Sequence, residues 1–236
     1  MTDDLTARLR DAGFAFVPGA EMRGVLLDHG TLGDWAAFAA SWDDLGLDTY
    51  MADGGRYRKR RHAIFAARPG GPITREPHQP HYQSRDYNPL NGDIERWFQP
   101  ILPEIGAGAT MTTILSAMRA LNDAITPHVA WHIEVHQFRI EARAGAAGKP
   151  TPEGRHRDGV DTVLVLLVNR RNIREGVTTV SSPDGRELGS FTLARPLDAA
   201  LVDDLRVMHG VTPVAPEDPS HPGFRDVLVV TFRHSA

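Results

Sequence analysis

Apolar residues along this chain follow two different periods. In the first part they recur at helical spacing. Residues 3–12 predict a helix stopped by Gly13, and residues 31–45 carry Leu32, Trp35, Ala36, Phe38, Ala39 and Trp42 on one helical face. Between them, Phe14-Ala15-Phe16-Val17 reads as a short strand ended by Pro18. Residues 56–65 alternate as a strand does. Residues 69–103 are rich in Pro, Gly, Asn and Gln and predict a long irregular covering segment. Residues 112–125 (TTILSAMRALNDAI) give the clearest helix, with Pro127 marking its end.

From residue 131 the period becomes two. Segments 131–140, 162–168, 177–181, 191–193, 199–202, 207–214 and 227–232 read as short strands separated by turns. Helices come first, strands follow, and no helix separates the later strands. That order predicts a mainly β chain with flanking α-helices, a barrel or jelly roll, and argues against a parallel doubly wound sheet. A single domain over 1–236 is expected, with 1–125 as a helical and irregular layer and 126–236 as the β core.

Composition narrows the chemistry more than the fold. The chain has 236 residues and no cysteine, which excludes disulfides, thiolate metal sites, iron–sulfur clusters and thiol nucleophiles. Eleven histidines remain, so a metal would be held by nitrogen and oxygen. The formal charge of −4 gives no electrostatic reason for a nucleic-acid partner, and the basic run RYRKRR at 56–61 reads as a solvated or substrate-facing strand. No aliphatic run is long enough to span a bilayer and no leader is evident, so a cytoplasmic enzyme without a membrane partner is expected. The four tryptophans read as core. Dinucleotide, phosphate-loop and nucleophile-elbow motifs are missing.

His156-Arg157-Asp158 is the first candidate for metal chemistry. Side chains two apart on a strand share a face, so this imidazole and carboxylate can converge on one ion. His209, inside a later strand, can supply a third ligand. Two His and one carboxylate make the facial triad of non-haem Fe(II) oxygenases, which leaves coordination positions open. About one His-x-Asp is expected by chance in such a composition. Its position, just before Gly159 and the strand 162–168, puts this one at a strand end, where pockets open. The rival is HIEVH at 132–136. Its outer histidines would have Cβ atoms about 13 Å apart at about 3.3 Å per residue, so one ion does not collect all three polar side chains. They read as a polar inner lining or a wet outer face.

Arg225 is the second candidate. Alternation sets Arg225, Val227, Val229 and Thr231 on one face and Asp226, Leu228, Val230 and Phe232 on the other, as in a central strand that Arg225 begins. An arginine there needs an anion. The anion is either a nearby Asp or Glu, or one end of a dicarboxylate keto acid whose other end reaches the metal.

These residues belong to a wider pattern. HQFRI (136–140), HRDGVD (156–161), PLDAALV (196–202), VMHGVTPV (207–214) and FRDVLVVTF (224–232) together resemble the bacterial iron/2-oxoglutarate dioxygenases that hydroxylate free L-amino acids, the isoleucine dioxygenase type. Upstream, YQSRDYN (82–88), Gly92, Arg96 and Phe98 fit the same family. The resemblance implies a double-stranded β-helix, with Fe(II) on His156, Asp158 and His209 and the distal carboxylate of 2-oxoglutarate on Arg225, Arg233 being the substitute. It also implies cofactor or substrate contacts from Gln137 and Arg139. The expected reaction consumes dioxygen, hydroxylates an unactivated C–H of an aliphatic L-amino acid, and releases succinate and CO2. Arg58, Arg60, Tyr82, Gln83 and Asp161 are the candidates for holding that substrate. The alternatives are a cupin-like metalloenzyme that does not turn over 2-oxoglutarate, and a non-catalytic metal- or keto-acid-binding module.

Overall fold

A computed structural model describes residues 2–87, 90 and 92–235; Asn88, the last residue of YQSRDYN, lies outside them. In chain order the elements are α1 (Thr2–Ala12), β1 (Phe14–Val17), α2 (Gly19–Leu27), α3 (Trp35–Ala40), a 3-10 turn (Ser41–Asp44), β2 (Gly46–Leu47), β3 (Arg58–Ala67), β4 (Ile73–Arg75), α4 (Pro103–Gly106) and α5 (Ala109–Ile125). The strands β5 (Trp131–Ala142), β6 (Thr162–Arg171), β7 (Ile173–Glu175), β8 (Val177–Ser181), β9 (Glu187–Thr192), β10 (Ala199–Asp203), β11 (Met208–Val211), β12 (Val214–Pro216) and β13 (Gly223–His234) follow.

The major sheet runs β1-β10-β6-β13-β5-β3-β2, with β4 added on β3. All of its pairings are antiparallel. Its long central strand, β13, is flanked by β5 and β6 and covered on one face by the helices and on the other by a smaller sheet, which explains why both of its faces are apolar in sequence. One face packs under the helices. On α5 the stripe Met111, Ile114, Leu115, Met118 and Leu121 meets Ile133, Val135, Leu164, Leu166, Leu228, Val230 and Phe232 of the sheet. The other face looks toward a smaller sheet, β11-β8-β9, and the pair β12-β7. A cavity of about 300 Å³ opens between these layers. This is the jelly-roll architecture. No helix among the described residues is long and apolar enough to cross a membrane.

The differences from the sequence reading are local. Strands before residue 126 complete the major sheet, so β1 to β4 belong to the β layer, not to a separate helical cover. The α2 helix adds to the sequence reading, in which Pro18 only ends a strand; here Pro18 is also the residue just before the first helical one. The segment 207–214 divides into β11 and β12, which pair with different strands on either side of Thr212 and Pro213. Arg225 lies inside β13 and does not begin it.

Candidate active site

Asp158 stands between the two histidines. Its carboxylate oxygens lie 3.6 Å from His156 Nε2 and 3.6 Å from His209 Nε2, too far for hydrogen bonds and suited to a shared ion. The spacing of the histidines comes from the backbone. His156 and His209 exchange N–H···O bonds of 2.9 and 3.0 Å, an isolated antiparallel bridge that brings the loop before β6 onto β11. His156 Nδ1 donates to the Gly154 carbonyl at 3.1 Å, which turns Nε2 inward toward Asp158. Asp204 secures the acid: its carboxylate accepts the backbone N–H groups of Asp158 (2.9 Å), Gly159 (2.7 Å) and Val160 (3.1 Å). Gly159 is required in this turn. Its φ is +79°, and a Cβ would come within 2.7 Å of the Tyr87 ring.

The electrostatics of the group suit a cation. Burial would raise the Asp158 carboxyl, but His156 and His209 hold it well below the usual range. Burial opposes the charging of His156, yet Asp158 and Glu153 raise it to about 9, while burial and the charge on His156 push His209 down to about 4. One positive charge is therefore wanted in this space. Burial and the nearby Asp158 push Asp204 up to about 6.

Arg225 reaches the same cavity from β13 and is 2 % exposed. Its Nε and Nη2 are buried without hydrogen-bond partners. These two atoms form one edge of the guanidinium, which matches the two oxygens of a carboxylate. Burial and Arg170 lower its pKa to about 10, as expected for a cation lacking its anion. Arg233, the substitute, also lines the cavity, but it is exposed, at the far end of the strand opposite His132.

Gln137 and Arg139 lie away from the cavity, contrary to the expected cofactor or substrate contacts. Residues paired across an antiparallel ladder share a face, and Arg225 pairs with Ile140. Ile140, Phe138 and His136 therefore line the cavity, and residues 137 and 139 take the reverse face. There Gln137 donates to Ser41 Oγ at 2.7 Å, and Arg139 grips Asp226 with two bonds of 2.7 Å. Asp161 is also engaged elsewhere, accepting the His234 N–H at 2.8 Å. Arg58, Arg60, Tyr82 and Gln83 do line the cavity. The basic run is thus split by strand parity. Lys59 pairs with Glu141 at 2.6 Å and Arg61 with Asp44 at 2.8 Å, outside the cavity.

The HIEVH segment forms a polar inner lining, with partners that sequence alone did not bring to it. Glu134 Oε2 faces His62 Nε2 (3.2 Å), His81 Nδ1 (2.5 Å) and His136 Nε2 (3.4 Å), and Glu134 Oε1 faces His132 Nε2 (3.2 Å). The ligand atoms of His62, His81, Glu134 and His136 all lie within 4.8 Å of one another, a second grouping of metal-ligand types. Arg60 decides its chemistry. Its Nη2 lies 2.7 Å from His136 Nδ1 and can only donate, so His136 carries its own proton on Nε2, toward Glu134. Burial pushes His62 down to about 4 and lowers His81 and His136 as well. Glu134 is thus an ionised carboxylate caged by imidazoles, those of His62, His81 and His136 being neutral, and these contacts hold its pKa well below the usual range despite burial. The sequence clue was the acid at the centre of HIEVH; nothing in the sequence pointed to His62, Asp204 or Glu153.

The family model for 2OG-Fe dioxygenases matches residues 39–231, which include every residue of this constellation. The chain belongs to that family. The 2OG-Fe dioxygenases use Fe(II) and 2-oxoglutarate, and the residues present fit both: a nitrogen–oxygen donor set around a space that wants positive charge, and a buried guanidinium edge lacking an anion. Among curated relatives, "3(1)-hydroxy-L-isoleucine 4-dioxygenase" of Pantoea ananatis is 28 % identical over 239 residues, covering 98 % of this chain and 95 % of the relative. "L-isoleucine-4-hydroxylase" of Bacillus thuringiensis is 28 % identical over 158 residues, 65 % of each chain. The crystal structure of a bsmA homolog from Methylobium petroleophilum superimposes with a TM-score of 0.86 at 36 % identity, covering 98 % of this chain and 92 % of that one. IDO from Bacillus thuringiensis, at 19 % identity and a TM-score of 0.82 over the full length of both chains, shares the fold.

Proposed function

We propose that this dioxygenase hydroxylates an unactivated C–H bond of a free aliphatic L-amino acid, with His156, Asp158 and His209 holding Fe(II) and Arg225 holding the distal carboxylate of 2-oxoglutarate. The observation that carries the assignment is the free Nε–Nη2 edge of Arg225, buried in the same cavity as the His/Asp/His group. It also disfavours a metalloenzyme working without a keto acid, which would have no use for that edge. The amino-acid substrate is drawn from the isoleucine enzymes among the relatives. When bound, iron and 2-oxoglutarate supply the oxidising chemistry, with succinate and CO2 as co-products.

The chain's own residues bind, orient and exclude water. Val163, Val165, Val227 and Val229 line the cavity between the arginine and the histidines, leaving the alkyl body of a keto acid in apolar surroundings. Asp204 and the His156–His209 bridge fix the ligand set before any ligand arrives, so little reorganisation is needed on binding. His81, Tyr82, Gln83 and Tyr87, from the covering segment, wall the remaining side.

Anaerobic addition of Fe(II) and 2-oxoglutarate should give a weak visible charge-transfer band. Aerobic incubation with a panel of free L-amino acids should give succinate and a product heavier by one oxygen atom. No band, and no succinate with any amino acid, would sink the proposal.

A further inference from the structure

The cavity contains a second arginine in the same unsatisfied state as Arg225. Arg96, in the covering segment, is 2 % exposed, and its Nε and Nη2 are also buried without partners. Its backbone is held by reciprocal bonds of 3.0 Å with His81. The other cations at this end are already engaged. Arg58 makes 2.8 Å contacts with Asp48 through Nε and Nη2. Arg60 gives Nη2 to His136 and is stacked between rings, its Cζ 3.6 Å from the Phe98 centroid and 4.3 Å from that of Phe138. Arg96 alone among these three has a whole carboxylate-binding edge free. A buried guanidinium without an anion is costly, and the cost is recovered when a carboxylate arrives.

A complementary acceptor lines the same cavity. Glu153 Oε2 is buried without a partner. Glu134, the other nearby acid, has both oxygens occupied by imidazoles. The residues that line the cavity therefore include two buried arginines with an unpaired Nε–Nη2 edge, Arg225 and Arg96, and one acid, Glu153, with an unpaired buried oxygen beside the Oε1 that lies 3.4 Å from His156 Nδ1. A keto diacid uses the first edge, and a zwitterion uses the second edge with the acceptor.

We propose that Arg96 binds the α-carboxylate of the substrate amino acid through its Nε–Nη2 edge, and that Glu153 accepts its α-ammonium. The inference rests on the amino-acid hydroxylation proposed above, and it makes the enzyme specific for free zwitterions over amides, esters and amines.

The test uses Arg96→Gln and Glu153→Gln, with L-isoleucine or whichever panel member is oxidised by the wild type, its amide, and the matching 2-hydroxy acid. In Arg96→Gln the amino-acid KM should rise about 100-fold, as for the loss of one buried charged partner, with the 2-oxoglutarate KM within two-fold. The preference of kcat/KM for the acid over the amide should collapse in Arg96→Gln, and the preference for the amino acid over the hydroxy acid should collapse in Glu153→Gln. An intact charge-transfer band with Fe(II) and 2-oxoglutarate establishes that the variants fold and keep the iron site. An unchanged amino-acid KM in Arg96→Gln, or a rise in the 2-oxoglutarate KM instead, overturns the assignment while leaving amino-acid hydroxylation standing. If the wild type oxidises no amino acid, the underlying function fails and this assignment fails with it.

Discussion

Arg225→Met should weaken function and strengthen the ligand-free fold. In the wild type the guanidinium is buried with two unpaired N–H atoms, and its pKa falls to about 10 from 12.5. At neutral pH the charge is carried in both the folded and unfolded states. The lowered value therefore measures a penalty on the folded state, on the order of 3 kcal/mol for a fall of this size. Methionine has a similar reach and no charge, so part of that penalty should be recovered, about 1.5 kcal/mol. For a chain of this size that corresponds to a rise in Tm of about 3–6 °C in the absence of 2-oxoglutarate. Binding should move the other way. Loss of one partner of a buried charged pair costs about 2–3 kcal/mol at the lower end of such measurements, which is roughly 30- to 150-fold in the 2-oxoglutarate KM. Calorimetry on the apo protein and succinate formation at varied 2-oxoglutarate check the two halves. A KM within three-fold of wild type refutes the carboxylate assignment. A Tm several degrees below wild type refutes the claim that the guanidinium is unpaired in the free protein.

Other residues give sharper separations. Asp158→Ala should abolish both the charge-transfer band and succinate formation; a variant that keeps either, read by absorbance and mass spectrometry, does not fit the triad. Arg139→Ala should leave the 2-oxoglutarate KM unchanged while destabilising the fold by about 3 kcal/mol, because it strands the buried Asp226; denaturant titration and kinetics read the two separately. Asp204→Ala frees three backbone N–H groups under the Asp158 turn and should weaken iron affinity about 10- to 100-fold, measured by chelator competition. Metal analysis of the Fe(II)-loaded protein should give one ion per chain, since Glu134 is already occupied by the imidazoles of His62, His81 and His136; two tightly held ions would contradict that cage.

The parts of the fold that the sequence makes plain are those where local pattern and tertiary burial agree. β8 is bounded as its alternation predicts, and the helical stripe of α5 faces the sheet that its period requires. The His-x-Asp pair and His209 were visible because β6 and the strand carrying His209 could be located, although His156 and Asp158 themselves sit in the loop before β6 and not on a strand. The register of β5 against β13 was not visible, because a slip of one residue exchanges the two faces of a strand. That ambiguity is why sequence alone did not place Phe138 and Ile140 on the cavity face and Gln137 and Arg139 on the reverse. The cage around Glu134 was hidden for a different reason. His62 comes from β3, where the pairing with β5 sets it opposite His136, and His81 comes from the covering segment, whose path brings it to Glu134. The irregular character of residues 69–103 was legible, but where each of its side chains would land was not. Arg96 is the main instance.

The bridge between His156 and His209 has a consequence for how such a protein can change over generations. The separation of the two imidazoles is written into main-chain hydrogen bonds, which every residue type except proline can make. Substitutions elsewhere in the cavity leave that spacing untouched. Arg96 and Tyr82 sit instead on a segment with few ladder pairings, where sequence can drift without unravelling a sheet, whereas Gln83 and Tyr87 of that segment touch the Asp158–Gly159 turn. Change at Arg96 and Tyr82 can thereby proceed without disturbing the main-chain bridge under the proposed iron site.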